Sequence, residues 1–405
     1  MRGFRAAATI AAAFFHVVAQ AQVSAPPPAG TAATFSQRGP GSVELGPVVA
    51  YPGLDLKVGY NDNLYLSPSN AVGSAITIIS PYVRLETRHD GNVYDVFYRG
   101  EFAHYLDSPA DDYQTQLLQA NAKLVFDARN DMRLRAEASS GVDPRGSTDR
   151  GVSAEPDAWR RNTLYGMYGY GVAGNPGRLE FDGSWSSLRY SNNRAITAAA
   201  DRNITDLGAA FYWRVAPKTR VFVQARRALI DYEQEGSTLS STEMRYYVGA
   251  QWEATAHTAG YAKFGWMNKT FANGGSRPEG GPSWDLGVRW SPLSYSVLDV
   301  SALRTFVEST GVGDTTISSR ISATWTHAWS SRLNHNLYVY RMNDDFVGGG
   351  TSRKDETTTI GLKFNYQFQR WLRLGAEVAH TERDSNEALF FYRRNVLMFT
   401  VGGTL

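Results

Sequence analysis

Residues 359–368, TIGLKFNYQF, alternate apolar and polar side chains over the length of a β-strand. Ile360 and Leu362 fall on one side of the pleat, whereas Lys363 and Asn365 fall on the other. Because successive side chains of a strand point to opposite faces, one face of this segment suits hydrocarbon and the other suits water. The pattern therefore predicts a strand of a membrane-spanning β-barrel.

The same alternation recurs from about residue 49 to the end of the chain. It predicts an all-β fold, a transmembrane antiparallel up-and-down β-barrel of about 18 strands, with 16 strands as the alternative. The predicted strands are 49–60, 75–87, 92–105, 112–128, 131–142, 159–172, 177–190, 203–215, 219–232, 242–256, 258–271, 282–292, 295–308, 315–329, 332–345, 355–369, 371–384 and 392–404.

The connections between these segments alternate in length. Tight turns follow the even-numbered strands, as at 89–91 and 174–177, and longer links follow most odd-numbered strands, as at 61–74. Short periplasmic turns and longer external loops are typical of outer-membrane barrels, and an even strand count places both termini in the periplasm. The longest link, residues 143–158, is predicted to be too short to fold into the lumen as a constriction.

Three regions are predicted along the chain. Residues 1–21 resemble a secretory signal peptide, since two arginines precede an apolar run that ends in Ala19-Gln20-Ala21. Residues 22–46 are rich in Pro, Ala, Gly and Ser and are expected to form a flexible periplasmic leader. Residues 47–405 form the predicted barrel, located in the bacterial outer membrane.

Composition excludes several classes of function. The chain has no Cys, so disulfides and thiolate metal sites are excluded. Without the two signal-peptide arginines, the 41 basic residues become 39, which equals the acidic count and gives no argument for a nucleic-acid partner. The seven His show no metal-binding spacing, and no nucleophile, base and acid stand together. We therefore expect no metal, no cofactor and no enzymatic activity.

Tryptophans are placed as an aromatic girdle requires. One group is predicted at the periplasmic rim and a second group near the opposite rim, and a soluble β-sandwich or propeller with a tryptophan core is the less favoured alternative. The periplasmic group is Trp213, Trp252, Trp290, Trp329 and Trp371, and the other group is Trp159, Trp185, Trp266 and Trp284.

The polar face of the predicted strands is the candidate pore lining. Its charged and tyrosine side chains are Arg84, Glu86, Asp95, Arg99, Glu101, Arg133, Arg135, Glu137, Glu180, Asp182, Arg214, Arg226, Arg245, Tyr247, Glu253, Asp285, Arg289, Arg320, Lys363, Arg373 and Glu377, accompanied by Lys57, Lys123, Lys263, Asp299, Tyr82, Tyr212, Tyr338 and Tyr340. Most of them are expected to pair across strands and stiffen a wet wall. Besides this structural role, such a wall suits contact with a hydroxyl-rich or anionic polymer through tyrosine stacking and arginine hydrogen bonds.

Three short motifs resemble a known family. Residues 59–65, GYNDNLY, and residues 79–85, ISPYVRL, look like the first strands of the Putative beta-barrel porin 2 family, and residues 392–396, YRRNV, resemble its last strand. Members of that family occur with exopolysaccharide synthesis and export systems. The resemblance implies a passive outer-membrane conduit for a secreted polysaccharide, working with a periplasmic export protein. A diffusion porin for small solutes or oligosaccharides is the first alternative, and a structural or adhesive barrel is the second.

Overall fold

The computed structural model describes residues 41–151, 153–172, 176–255, 257–272 and 278–405. Within these ranges the chain forms antiparallel strands joined by turns, loops and four very short helical segments. The strands are β1 (Val43–Leu45), β2 (Val48–Asn61), β3 (Ser74–His89), β4 (Asn92–Tyr105), β5 (Tyr113–Val125), β6 (Asn130–Asp143), β7 (Asp157–Tyr170), β8 (Gly177–Tyr190), β9 (Arg202–Ala216), β10 (Thr219–Tyr232), β11 (Ser241–Thr255), β12 (Thr258–Phe271), β13 (Glu279–Leu293), β14 (Ser296–Glu308), β15 (Thr315–Ala328), β16 (Leu333–Val347), β17 (Lys354–Gln369), β18 (Leu372–Ser385) and β19 (Tyr392–Thr404). The helical segments are α1 (Arg194–Thr197) and three 3₁₀ turns at Pro109–Asp111, Ala198–Ala200 and Ala388–Phe390.

The sheet closes on itself. Each strand from β2 to β19 pairs with its neighbours in sequence, and β19 returns to β2, with Val396 opposite Asn61 and Thr404 opposite Gly53. The result is a closed antiparallel barrel of 18 strands, which confirms the predicted strand number and sets aside the 16-strand alternative. Closure gives every strand from β2 to β19 a partner on both sides over most of its length, as a barrel in lipid requires.

The predicted strand boundaries lie within about three residues of the observed ones. The clearest difference is at β5, where residues 126–128 were predicted as strand but belong to a turn. There the Asp127 carboxylate accepts hydrogen bonds from the backbone N–H groups of Arg129 (2.6 Å) and Asn130 (2.9 Å). Because an aspartate that bonds the following backbone favours a turn, the strand ends early.

The N-terminal region differs in part from the predicted leader. Val43–Leu45 form the short strand β1, which pairs with the start of β2. The predicted signal peptide and the rest of the leader, residues 1–40, lie outside the described residues. Of the helices in the described ranges, none has the length and hydrophobicity needed to span a bilayer.

The outer face of the barrel is apolar. Leu179, Phe181 and Trp185 of β8 are exposed, as the alternation predicts, and Val248 of β11 is 63% exposed. Nearly the whole set of exposed large hydrophobic side chains follows this parity from strand to strand. A band of apolar side chains that faces outward on every strand is what contact with lipid tails requires.

One predicted girdle residue points the other way. The Trp159 side chain packs against the buried side chains of Leu188 and Tyr190. Its Nε1 donates a 3.0 Å hydrogen bond to Asp143, which lies on the adjacent strand β6. The Trp159 side chain therefore lies on the inner, polar face of the wall. It is directly opposite Gly141, where the absence of a side chain leaves room for the indole.

The lipid-facing register makes a quantitative prediction at β15. Ile321 is 58% exposed on the outer face near the middle of its strand, and Ser322 is on the opposite face beside Ser301. We expect Ile321→Arg to lower the free energy of unfolding by about 1–2 kcal/mol, because the new arginine would face lipid, but nearer the interface than the bilayer midplane, since Arg341 lies directly opposite on the same face. Ser322→Arg, one position away, should cost less than about 1 kcal/mol. Urea unfolding in lipid vesicles, followed by tryptophan fluorescence, measures both, and equal losses would contradict the assignment of faces.

Candidate functional site

Ion pairs between strands that are not neighbours identify the inner face. The Asp55 carboxylate on β2 lies 3.3 Å from Nη2 of Arg99 on β4 and 3.2 Å from Nη2 of Arg373 on β18. Each pair crosses an intervening strand, a separation of about 9–10 Å between backbones. Long side chains converge over such a distance on the concave side of a barrel. Asp55, Arg99 and Arg373 therefore share the inner wall.

A second group of predicted residues lies on β3 to β6. Arg84 approaches Glu86 at 3.5 Å and Asp95 at 3.8 Å. Asp95 accepts a 3.0 Å hydrogen bond from Asn121, whose side-chain oxygen accepts a 2.9 Å bond from Nε of Arg135. The charges form a connected ladder across four strands, as cross-strand pairing predicts.

A third group lies on β8 to β11. The Arg226 guanidinium donates to Asp182 of β8 at 2.7 and 3.0 Å and to Asp206 of β9. Arg245 of β11 also pairs with Asp206. Two arginines that are direct cross-strand partners thus share one carboxylate, which offsets their mutual repulsion.

Further predicted residues pair on β11 to β14 and on β16 to β18. Their contacts are Asp285 with Lys263 (3.0 Å) and with the Tyr261 hydroxyl (2.7 Å), Arg289 with Asp299 (2.7 Å), Glu377 with Lys363 (3.6 Å) and with the Tyr338 hydroxyl (2.8 Å), and Tyr247 with Ser283 (2.7 Å).

The remaining predicted residues are not brought into these groups. Glu180 pairs with Arg178 of its own strand (2.7 Å), and Glu101 accepts a hydrogen bond from the Tyr113 hydroxyl (2.9 Å). Among these remaining residues, like charges stand opposite each other at Arg133 with Lys123 and at Arg214 with Arg220. Glu137 stands opposite Gln119, Arg320 bonds Ser318, and the Glu253 side chain is exposed at the end of β11.

The exposure of inner side chains changes along the barrel axis. Near the tight turns, the paired side chains of Arg289 and Asp299 are 51% and 39% exposed. Near the long loops, the side chains of Lys269 and Arg353 are 0% and 1% exposed, although both carry charge. The lumen is therefore wet at the tight-turn end and densely packed at the long-loop end.

The buried Asp55 gives a prediction for the inner wall. Asp55→Asn should lower the free energy of unfolding by about 1–2 kcal/mol, because two arginines lose a charged acceptor while remaining partly in water. Asp299→Asn is the matched control, since its half-exposed pair with Arg289 should contribute less than about 1 kcal/mol. Denaturant titration in vesicles measures both variants, and a larger loss for Asp299→Asn would contradict the burial argument.

At the long-loop end, the β14–β15 hairpin leaves the wall and leans inward. Pairing of β13 with β14 stops at Trp284 and Arg304, whereas β14 and β15 stay paired up to Glu308 and Thr315. Beyond that point Phe306 is fully buried against Met267, which lies on the inner face of β12. The end of the hairpin thus lies inside the ring of strands.

A buried charged cluster holds the hairpin there. Lys269 of β12 pairs with Glu243 of β11 at 3.1 Å and with Glu308 of β14. The hydroxyl of Tyr232, at the end of β10, donates a 2.9 Å bond to Glu308. All four side chains are buried, so their partners replace the water that charges otherwise need.

From the other side of the mouth, the β6–β7 loop folds over the lumen. Arg145 donates to the Tyr65 hydroxyl at 2.7 Å and pairs with Asp111, which anchors the loop on two neighbouring loops. Arg150 pairs with Asp143 at 2.6 Å and with Asp157 at 3.1 Å at the base of the loop. The loop is held at both ends by charged hydrogen bonds, which are the stronger kind.

The loop and the hairpin meet. The Asp149 backbone N–H donates a 3.2 Å bond to the Thr310 carbonyl, and its carboxylate accepts a 2.8 Å bond from the Thr310 hydroxyl. Gly311 lies against the Asp149 backbone so closely that a Cβ there would be 2.6 Å from the Asp149 carbonyl carbon. Because β6–β7 and β14–β15 are nearly opposite each other in the ring, this contact crosses the mouth. We name the contact between Asp149 and residues 310–311 the mouth bridge.

Arg353 fastens the mouth bridge to a third loop. Its Nη1 lies 2.6 Å from Asp149, its Nε lies 2.9 Å from Asp355, and its guanidinium stacks 3.3 Å from the Phe390 ring centroid. Burial opposes the charge of Arg353, but hydrogen bonds to Asp355 and the charge of Asp149 outweigh it and raise the pKa of Arg353. The guanidinium therefore stays charged in a dry site.

These contacts form a closure that the sequence expectation for link 143–158 did not include. The loop need not cross the lumen alone, because the hairpin reaches it from the opposite wall. Sequence reasoning also missed Asp149, Lys269, Glu308 and Arg353. One signal was present in the sequence. Glu308 is an even number of positions from the lipid-facing Val300, so in a regular strand its carboxylate would also face lipid, at a high cost in free energy.

Solved structures with a similar fold include outer-membrane proteins. OccAB3 of Acinetobacter baumannii is 11% identical (TM-score 0.48; 88% of this chain and 99% of that chain covered). The outer membrane protein opdK of Pseudomonas aeruginosa is 9% identical (TM-score 0.49; 88% and 98% covered). The FrpB iron transporter of Neisseria meningitidis is 11% identical (TM-score 0.47), with 83% of this chain covered, and this chain spans only 62% of that transporter. At these values the likeness does not extend to ligands.

Among the described residues, no three His, Asp or Glu side chains are grouped as a metal site would need. The sequence has no match among curated proteins. The model of one protein family, described as Putative beta-barrel porin 2, matches residues 39–404, which include the whole closed barrel and its inner wall. The chain is an outer-membrane β-barrel that belongs to the Putative beta-barrel porin 2 family.

Proposed function

We propose that this barrel is a conduit for export of a secreted polysaccharide, with its mouth closed until polymer arrives. In this proposal residues 1–21 are a signal peptide, the tight turns and both termini lie in the periplasm, and the long loops face outward. A periplasmic export protein delivers the polymer to the tight-turn end. The observation that carries the proposal is the mouth bridge, in which Asp149 meets Thr310 over the lumen.

The bridge suits an exporter because a wide barrel without a closure would leak solutes whenever no polymer fills it. An 18-stranded barrel encloses an aqueous channel when nothing folds into it. Here the buried ion pair of Arg353 with Asp149 joins the β16–β17 loop to the β6–β7 loop, and the Thr310 hydrogen bonds to Asp149 join the hairpin to the same place. Breaking and remaking such pairs gives two discrete arrangements, which a gate needs.

The inner wall below the bridge suits a polymer that must slide. Charges are mostly neutralised by partners, as at Asp55 with Arg99 and at Asp285 with Lys263, so no large field of one sign would trap a chain. Hydroxyls, amides and tyrosines line the wall between the pairs and can exchange hydrogen bonds with sugar hydroxyls.

Deleting the gene and measuring extracellular polysaccharide tests the proposal in cells. We expect secretion to stop while polymer or its precursors accumulate in the periplasm, and return of the full-length chain should restore export. Unchanged secretion would overturn the proposal. In planar bilayers the purified protein should show a small resting conductance.

A diffusion porin for small solutes is the second candidate. It is favoured by the family's description and by the half-exposed pairs at the tight-turn end, such as Arg289 with Asp299. Liposome swelling in small sugars separates the two functions, because a diffusion porin would give fast swelling with the unmodified chain and an exporter closed by the mouth bridge would not.

A further inference from the structure

Several inner-wall tyrosines lie directly opposite glycines of the neighbouring strand, and Tyr82 and Tyr338 are two of them. Tyr338 of β16 pairs with Gly361, and Tyr82 of β3 pairs with Gly53. A Cβ added to either glycine would be 2.2 Å from Cζ of its tyrosine. The phenol end of each ring therefore occupies the space above the glycine. Both tyrosines are partly exposed on the inner wall, so part of each ring is open to the lumen.

Both rings are held in this position. The Tyr338 hydroxyl donates a 2.8 Å hydrogen bond to Glu377, two strands away. The Arg99 guanidinium carbon lies 5.9 Å from the Tyr82 ring centroid, at the edge of cation–π range. Neither tyrosine is fully buried, in contrast to Phe306 and Tyr232 near the mouth. A fixed, partly exposed ring can bind without losing much conformational freedom.

Charged pairs lie between the two rings along the wall. Glu377 with Lys363, and Asp55 with Arg373, belong to strands between β16 and β3 in the ring. Their side chains, apart from the buried Asp55, are partly exposed to the lumen. Carboxylate oxygens and guanidinium N–H groups at this position can bond hydroxyls that pass over them.

We propose that Tyr82 and Tyr338 are stacking platforms for the pyranose rings of the exported polysaccharide, with the intervening charges bonding its hydroxyls. The C–H groups on the flat side of a pyranose are apolar and weakly positive, which complements the negative face of an aromatic ring. The hydroxyls project from the rim of the sugar toward the carboxylates and guanidinium groups. This assignment rests on the proposed export function and names the substrate-binding part of the wall.

A glycine–aromatic pair also has a purely structural use, since the ring fills the space that the missing side chain leaves. Phe222 opposite Gly249 is such a pair, with its Cζ 2.5 Å from where a Cβ of Gly249 would be. Phe222 is buried, so it offers no face to a ligand. Phe222→Leu is therefore the matched control for ring loss without platform loss.

The test is binding of two defined sugars, a neutral glucan hexasaccharide and a hexamer of uronic acid, to the full chain in detergent. Saturation-transfer NMR and titration give Kd for the unmodified chain, for Tyr82→Leu/Tyr338→Leu, for Tyr82→Phe/Tyr338→Phe and for Phe222→Leu. We expect the double leucine variant to raise Kd about tenfold for at least one sugar. The double phenylalanine variant keeps both rings and should therefore raise Kd less than the double leucine variant does. Phe222→Leu should bind like the unmodified chain, and heat-modifiable migration on gels checks that each barrel is folded.

The outcomes separate this proposal from the export proposal. Absence of binding of either sugar to the unmodified chain, or equal Kd values for the folded double leucine variant, would overturn the platforms. Equal weakening by Phe222→Leu would also overturn them, since it would show a general loss of packing. If gene deletion leaves secretion intact, the export proposal fails whatever the NMR shows. If deletion stops secretion and the double leucine variant still binds, only the platforms fail.

Discussion

Arg353→Ala should convert the closed barrel into a conducting one. The substitution leaves Asp149 buried without its cation and leaves Asp355 with only Arg383, at 4.0 Å. Removing one partner of a buried ion pair costs about 3–5 kcal/mol. Because 1.4 kcal/mol is a factor of ten, the ratio of open to closed mouths should rise on the order of 10²- to 10³-fold. Single-channel recording in planar bilayers measures this as longer and more frequent open intervals.

The matched control is Arg341→Ala. Arg341 pairs with Glu356 on the same two strands that lead to the Arg353 loop, but both side chains are well exposed. An exposed pair contributes little, so its loss should leave the conductance unchanged. If both alanine variants opened the channel alike, the effect would belong to the β16–β17 region in general and not to the mouth bridge.

A second change tests the same bridge without removing charge. In Gly311→Val, the new Cβ would lie 2.6 Å from the Asp149 carbonyl carbon, which is too close for two carbon atoms. Gly311 also has a φ of +138°, which β-branched residues rarely adopt. The loop and the hairpin would have to move apart. We expect open intervals in this variant as well, and a channel that stayed closed would show that the Asp149–Thr310 contact is not the closure.

The regular part of the fold was predictable because every strand obeys the same local rule. Residues such as Phe181 and Asp182 alternate between lipid and lumen, and a slip of one residue would expose charge to hydrocarbon. The wall part of the candidate site follows from that rule. Pairs such as Asp55 with Arg373 required the closed ring, since these residues are distant in sequence and approach only through the pairing of β19 with β2.

The mouth could not be predicted from the same rule. Phe306 and Glu308 keep the alternation of β14 in sequence, yet the strand has left β13 and their side chains meet the inside of β12. Whether a hairpin follows the wall or leans inward depends on tertiary contacts with Met267 and Lys269, which local periodicity does not encode. Loop residues such as Asp149 carry no periodic signal at all.

Lys269→Met should destabilise the inward lean of the β14–β15 hairpin. Glu243 and Glu308 would then lie in a dry site without the ammonium group that pairs with both, and Glu243 would keep only the more distant Arg245, at 3.9 Å. We expect the free energy of unfolding to fall by about 3–5 kcal/mol, as for other buried pairs that lose one partner. Denaturant unfolding in vesicles measures the loss, and faster protease cleavage within residues 309–314 reports release of the hairpin.

A triple variant distinguishes lost charge balance from lost packing. Lys269→Met/Glu243→Gln/Glu308→Gln keeps similar side-chain volumes but carries no charge, and replacing a whole buried ion cluster by neutral groups of matching size is often nearly neutral. It should recover most of the stability and of the protease resistance. If the triple variant were as unstable as Lys269→Met, the aliphatic contacts of Lys269 and not its charge would hold the hairpin. The Tyr232 hydroxyl, 2.9 Å from Glu308, can still bond the glutamine oxygen, so the comparison leaves that contact in place.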